Sequence, residues 1–110
     1  MKSEKVYIEI ILDSVRKIEN SLQGVTKEVF MGNQEKQSAI ILQLILIGEN
    51  SNKISEDIKS KISLPWRDIV GLRNMAVHEY MDLELDIIWD TANRNIPELK
   101  AKLLEYKNKS

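Results

Sequence analysis

"QEKQSAIILQLILIGENSN", residues 34–52, decides the fold. The spacing predicts one long helix from Gln34 to about Asn52. Its centre, "AIILQLILI" (39–47), is apolar on every side of the wheel except at Gln43. A helix that is oily all round is either enclosed or part of a subunit interface. The chain has only 110 residues, and the helices left over can hardly enclose it. It is therefore expected near the seam of a homodimer. The same run is about half the length of a membrane-spanning helix, so no membrane is expected.

Working outward, the apolar spacing is helical nearly throughout, and four glycines and two prolines leave few breaks. A first helix is predicted from Ser3 to Leu22, with Ile8, Ile11, Leu12, Val15, Ile18 and Leu22 on one stripe. Val6 and Ile10 form a smaller second face. "QGVTKEVFMGN" (23–33) reads as turn, short helix, turn, with Thr26 as cap and Gly32-Asn33 as stop. After a short polar helix in "ISEDIKSKISLPW" (54–66), Pro65 is expected to open a helix that runs to Val77 or Tyr80. Asp82 is expected to cap the last helix. Leu85, Ile88, Trp89, Ala92, Ile96, Leu99, Leu103 and Tyr106 share one face of it, with a kink at Pro97. The expected architecture is all-α, an up-and-down antiparallel bundle of about four to five helices forming a single domain over residues 1–110.

Composition narrows the function. Lys+Arg number 16 against Asp+Glu 17, so no general nucleic-acid coat is expected, although contact with a few phosphates remains open. There is no cysteine and one histidine, which excludes thiolate and histidine-rich metal sites within one chain. No metal and no cofactor are expected. Glu4, Glu9 and Asp13 interrupt any signal-peptide core, and a soluble cytoplasmic protein is the simple reading.

The chemistry-bearing stretch is "RNMAVHEY" (73–80), which holds the single histidine. On a continuous wheel Arg73 falls at the centre of an apolar arc formed by Trp66, Ile69, Val70, Ala76, Val77 and Tyr80. A long arginine stem can lie on apolar surface, or Arg73 can pair with a carboxylate, for which Glu49 is the candidate partner. Tyr80 can equally be core packing. Yet these groups also suit RNA cleavage by the ribose 2′-OH. Imidazole titrates near neutral pH and can move the proton. Guanidinium forks onto phosphate oxygens. Asn74 can orient the imidazole or hold a phosphate oxygen. Arg73 and His78 lie about 140° apart on one helix, and one histidine must serve two proton-transfer roles. A dimer with two copies at one cleft would supply both roles, and the arginine's reach, a frayed helix end or the second subunit would close the gap.

The sequence resembles the HepT-like branch of the HEPN superfamily. "RNMAVHEY" matches that branch's Arg-X4-His-X-Tyr motif, with Asn after the Arg. "AIILQLILIGEN" resembles its second long helix, which ends in a Gly-Glu pair, here Gly48 and Glu49. "LPWRDIVGLRN" and "IIWDTANRNIPELKAKL" resemble its lead into the motif and its last helix. The resemblance implies a dimeric HEPN-like bundle and a metal-independent endoribonuclease toxin of a toxin–antitoxin pair. It implies Arg73 and His78 as catalytic residues and Asn74 as an accessory polar residue. It implies Tyr80 as a site of AMPylation by a minimal nucleotidyltransferase (MNT) antitoxin. The alternative is a non-catalytic HEPN subunit that completes a nucleotidyltransferase's substrate site.

Overall fold

The computed structural model describes residues 4–109, and the helix start expected at Ser3 lies outside them. The described residues are helical with no strands. The helices are α1 (Lys5–Leu22), α2 (Lys27–Met31), α3 (Gln34–Asn52), α4 (Glu56–Ser60), α5 (Trp66–Val70), α6 (Leu72–Met81), α7 (Leu85–Asp90) and α8 (Ile96–Lys109). A π-helical turn, Thr91–Asn95, joins α7 to α8. Four bodies make the bundle: α1, α3, the α5–α6 pair and the α7–α8 pair. α2 and α4 are short connectors.

α3 is the central element, with the bounds its apolar run predicts. Asn33 starts it by accepting the Lys36 amide at 3.0 Å. Ile40, Leu44 and Ile47 are fully enclosed between α1 and the α5–α6 pair. The helix is not buried all round. Leu42 is 53% exposed, and Glu49 also faces outward. Ile8, Ile11, Val15 and Ile18 cover α3 from α1, while Val6 and Ile10 remain partly exposed. Thr26 caps α2 through the Val29 amide at 3.2 Å, and Phe30 is buried against the Trp89 ring.

Two expectations at the motif helix are corrected. The helix from Pro65 is not continuous. Gly71 ends α5 and precedes α6, so a wheel that groups Trp66 and Ile69 with Arg73 spans a break. Trp66 anchors α5 instead, its indole N–H donating to Ile62 and Lys59 carbonyls at 3.0 and 3.1 Å. Asp82 does not cap the last helix. It is the C-cap of α6, its amide still donating to the His78 carbonyl at 3.0 Å. The chain then reverses through Leu83 at φ 63°. Leu83 and Glu84 amides return to Tyr80 and Glu79 carbonyls at 3.1 and 2.7 Å. This is the paired closure of a Schellman turn, with leucine where glycine is usual.

The last helix departs from regular α geometry near the proline, with the irregularity just before it. The Ile96 amide reaches back five residues to Thr91. That wider turn gives room ahead of Pro97, which has no N–H to donate and whose ring crowds a regular α-turn. Leu85, Ile88, Ala92, Ile96, Leu99 and Leu103 are buried, with Trp89 and Tyr106 partly so. No helix among the described residues is long and apolar enough to cross a membrane.

Candidate active site

α6 is positioned by its inner face, where Leu72 and Ala76 are buried and Met75 and Tyr80 pack against the core. Arg73, Asn74 and His78 therefore emerge on its outer side, all exposed. The oily arc of the continuous wheel dissolves, because Arg73 points to solvent beside Val77 rather than into the core. Its approach to α3 is set by Gly48. A β-carbon there would stand 2.8 Å from the Arg73 amide nitrogen and 3.2 Å from the Val70 carbonyl oxygen. Only glycine lets the backbones come so close.

That contact places Arg73 next to Glu49. Arg73 Nε forms an ion pair with Glu49 Oε1 at 2.9 Å, with the two side chains 55% and 49% exposed. Arg73 Nη1 donates to Asn74 Oδ1 at 3.0 Å. Gly48, Glu49, Asn52, Val70, Arg73 and Asn74 line an open depression of about 330 Å³. Its lining includes a guanidinium and two amides, groups that bind phosphate oxygens.

His78 lies one turn further along α6, outside that depression and 69% exposed. Its Nε2 is 3.1 Å from Asp82 Oδ2 and 4.0 Å from Glu79 Oε1. Among the described residues no hydrogen bond or ion pair joins the Glu49–Arg73–Asn74 set to the His78–Asp82 pair. Within one chain the two halves of the motif form neighbouring clusters and not one pocket. Tyr80 faces α3, where its hydroxyl is 3.2 Å from Ser38 Oγ.

α3 and α6 thus run antiparallel, with Ser38 against Tyr80 at one end and Glu49 against Arg73 at the other. By helical spacing, Leu42 and Val77 fall between these pairs on the outer side. Val77 is 40% exposed, and Met81 beyond it is more so. The seam is apolar in the middle and polar at both ends. A larger apolar cavity of about 420 Å³ lies on another flank of α6, toward α7 and α8, and contains none of the motif's polar residues.

Sequence reasoning does not find Ser38 or Asp82. Ser38 is 42 positions from Tyr80, and only the α3–α6 pairing brings them together. Asp82 carried a readable signal, since it stands four residues after His78 and i,i+4 residues are neighbours on a helix.

Fold and site together define a small helical-bundle protein with an ion-paired arginine in an amide-lined depression beside an exposed apolar seam. The pattern of the family described as "Ribonuclease HepT-like" matches residues 11–105. The chain belongs to this family, a branch of the HEPN superfamily. It is 32% identical over 102 residues to the "Probable ribonuclease HepT" of Thermococcus cleftensis, covering 92% of this chain and 93% of that one. It is 31% identical over 110 residues to a "Putative RNase" of Caldanaerobacter subterraneus, covering 99% and 98%. No solved structure gives a significant match.

Proposed function

We propose that the protein is a metal-independent endoribonuclease that acts in the cytoplasm as the toxin of a toxin–antitoxin pair. The observation that carries this reading is the row along the outer side of α6. Arg73 and Asn74 form one hydrogen-bonded unit there, and His78 stands free of the core one turn on.

The chemistry follows from the groups. His78 in its neutral form takes the proton of the ribose 2′-OH. The 2′-oxygen forms a bond to phosphorus, and the bond from phosphorus to the 5′-oxygen breaks. Arg73 and Asn74 balance charge on the non-bridging oxygens. The leaving 5′-oxygen needs a proton, and a second protomer's histidine supplies it. The apolar seam of Leu42, Val77 and Met81 supports a homodimer that brings two motifs to one cleft. It also accounts for a site whose two halves stay apart in one chain.

Neutralisation by an MNT-type nucleotidyltransferase that transfers AMP to Tyr80 fits the position of the phenol. Its hydroxyl is at the edge of the seam, held by Ser38 and not enclosed.

The test is cleavage of RNA by the purified protein in EDTA, with 2′,3′-cyclic phosphate ends as product. Cleavage that persists in His78→Ala overturns the mechanism. Mass spectrometry after incubation with the partner and ATP tests Tyr80.

One observation favours a second reading, a non-catalytic substrate-binding subunit of a nucleotidyltransferase complex. Arg73 is paired with Glu49 and not with His78. Expression without the partner separates the two readings. Growth arrest that needs Arg73 and His78 supports the toxin, and indifference supports the subunit.

A further inference from the structure

We infer that Asp82 is a positioning residue that fixes which nitrogen of His78 meets the substrate. The inference rests on the ribonuclease reading above.

Three observations carry it. Asp82 Oδ2 lies 3.1 Å from His78 Nε2, within hydrogen-bonding distance. Asp82 is held there by its own backbone, because its amide completes the last α-helical bond to His78. The chain then leaves the helix at once through Leu83, in a left-handed conformation that costs a leucine about 1–2 kcal/mol. A turn that accepts this cost stops α6 one residue past Met81, with the carboxylate one turn above the imidazole. Strain of this kind clusters at functional sites.

The consequence is chemical. A carboxylate only accepts hydrogen bonds, so a neutral His78 paired with Asp82 carries its proton on Nε2. Nδ1 is then bare and is the nitrogen that takes the 2′-OH proton. The proton passes from the ribose oxygen to Nδ1 as the 2′-oxygen binds phosphorus. The resulting imidazolium remains paired with Asp82 through Nε2. Orientation of a catalytic imidazole by a carboxylate on its far nitrogen is the arrangement that serine proteases use with the opposite nitrogens. Glu79, at 4.0 Å, is too distant for the same bond.

His78 is the chain's one histidine, so the imidazole ¹⁵N spectrum reports this site alone. In alkaline solution the wild type is expected to favour the tautomer with the proton on Nε2 more strongly than a free imidazole does. Asp82→Ala is expected to move toward the mixed tautomers of a free imidazole, and Asp82→Asn, whose amide oxygen still accepts the N–H, to retain most of the bias. In cleavage assays Asp82→Ala should lower kcat on the order of tenfold or more with little change in KM, the signature of a general base set out of line. Glu79→Gln should leave both readouts unchanged. Identical ¹⁵N spectra for wild type and Asp82→Ala overturn the inference, as does an unaltered kcat. A wild-type protein that does not cleave RNA sinks the ribonuclease reading, and with it the base role. The spectra then still decide whether Asp82 fixes the tautomer.

Discussion

Gly48 of α3 lies directly beneath the backbone of Arg73, so close that a β-carbon would stand 2.8 Å from the arginine's amide nitrogen. The nearest atoms belong to main chain, which cannot turn aside as a side chain can. Gly48→Ala must therefore push α6 away from α3. We expect a loss of about 1–3 kcal/mol in urea unfolding, the range for overpacking, together with loss of the Arg73–Glu49 pair. An unchanged unfolding midpoint would show that the α3–α6 contact is slack.

Glu49 occupies Arg73 Nε, the edge a phosphate would approach. The pair is half exposed, so Glu49→Gln should change stability by less than about 1 kcal/mol. If carboxylate and phosphate compete for the guanidinium, KM for RNA should fall in this variant. A fall in kcat instead would mean that Glu49 aligns Arg73 for the reaction.

Leu83 supports a left-handed backbone with its side chain 75% exposed. Leu83→Gly removes the steric cost, and we expect it to stabilise the chain by about 1 kcal/mol. The Schellman turn survives, so the His78–Asp82 pair and RNA cleavage should survive too. A destabilised variant, measured by thermal or urea unfolding, would mean that the leucine side chain supports the turn.

The outer seam predicts self-association. A charge buried at its centre by Val77→Glu should weaken a dimer at least tenfold, about 1.4 kcal/mol. Sedimentation measures this, with circular dichroism unchanged. Cleavage should fall in parallel, because each cleft needs two chains. A monomeric wild type with full activity would remove the dimer from the mechanism.

Much of the fold is written locally. α3 and the stripe from Leu85 to Tyr106 follow from apolar spacing, and Thr26 and Asn33 act as caps where such residues are favoured. The errors lie at Gly71, where the helix is interrupted, and at Asp82, where α6 ends. A wheel drawn from Trp66 to Tyr80 assumes one unbroken helix, whereas Gly71 interrupts it and Arg73 lies exposed beside a likewise exposed Val77. Aspartate is a good helix starter, yet at position 82 the chain has not left α6, and the reversal belongs to Leu83. The site is less legible than the fold because its partners are set by tertiary pairing. Nothing near Tyr80 in sequence points to Ser38, and nothing near Arg73 shows how closely Gly48 lets it approach.

The π-helical turn at Thr91–Asn95 makes the C-terminal helix dependent on counting. Each residue added to or removed from a helix rotates everything after it by about 100°. The residues buried before the wide turn and within it (Leu85, Ile88 and Ala92) and those after it (Ile96, Leu99 and Leu103) keep the spacing of one helical stripe. Deleting a single residue there while leaving every buried side chain intact would bring Pro97, Lys100 and Leu104 to the positions of Ile96, Leu99 and Leu103. The exposed residues at 93–95 can drift in identity, but the number of residues in the turn cannot change without that offset.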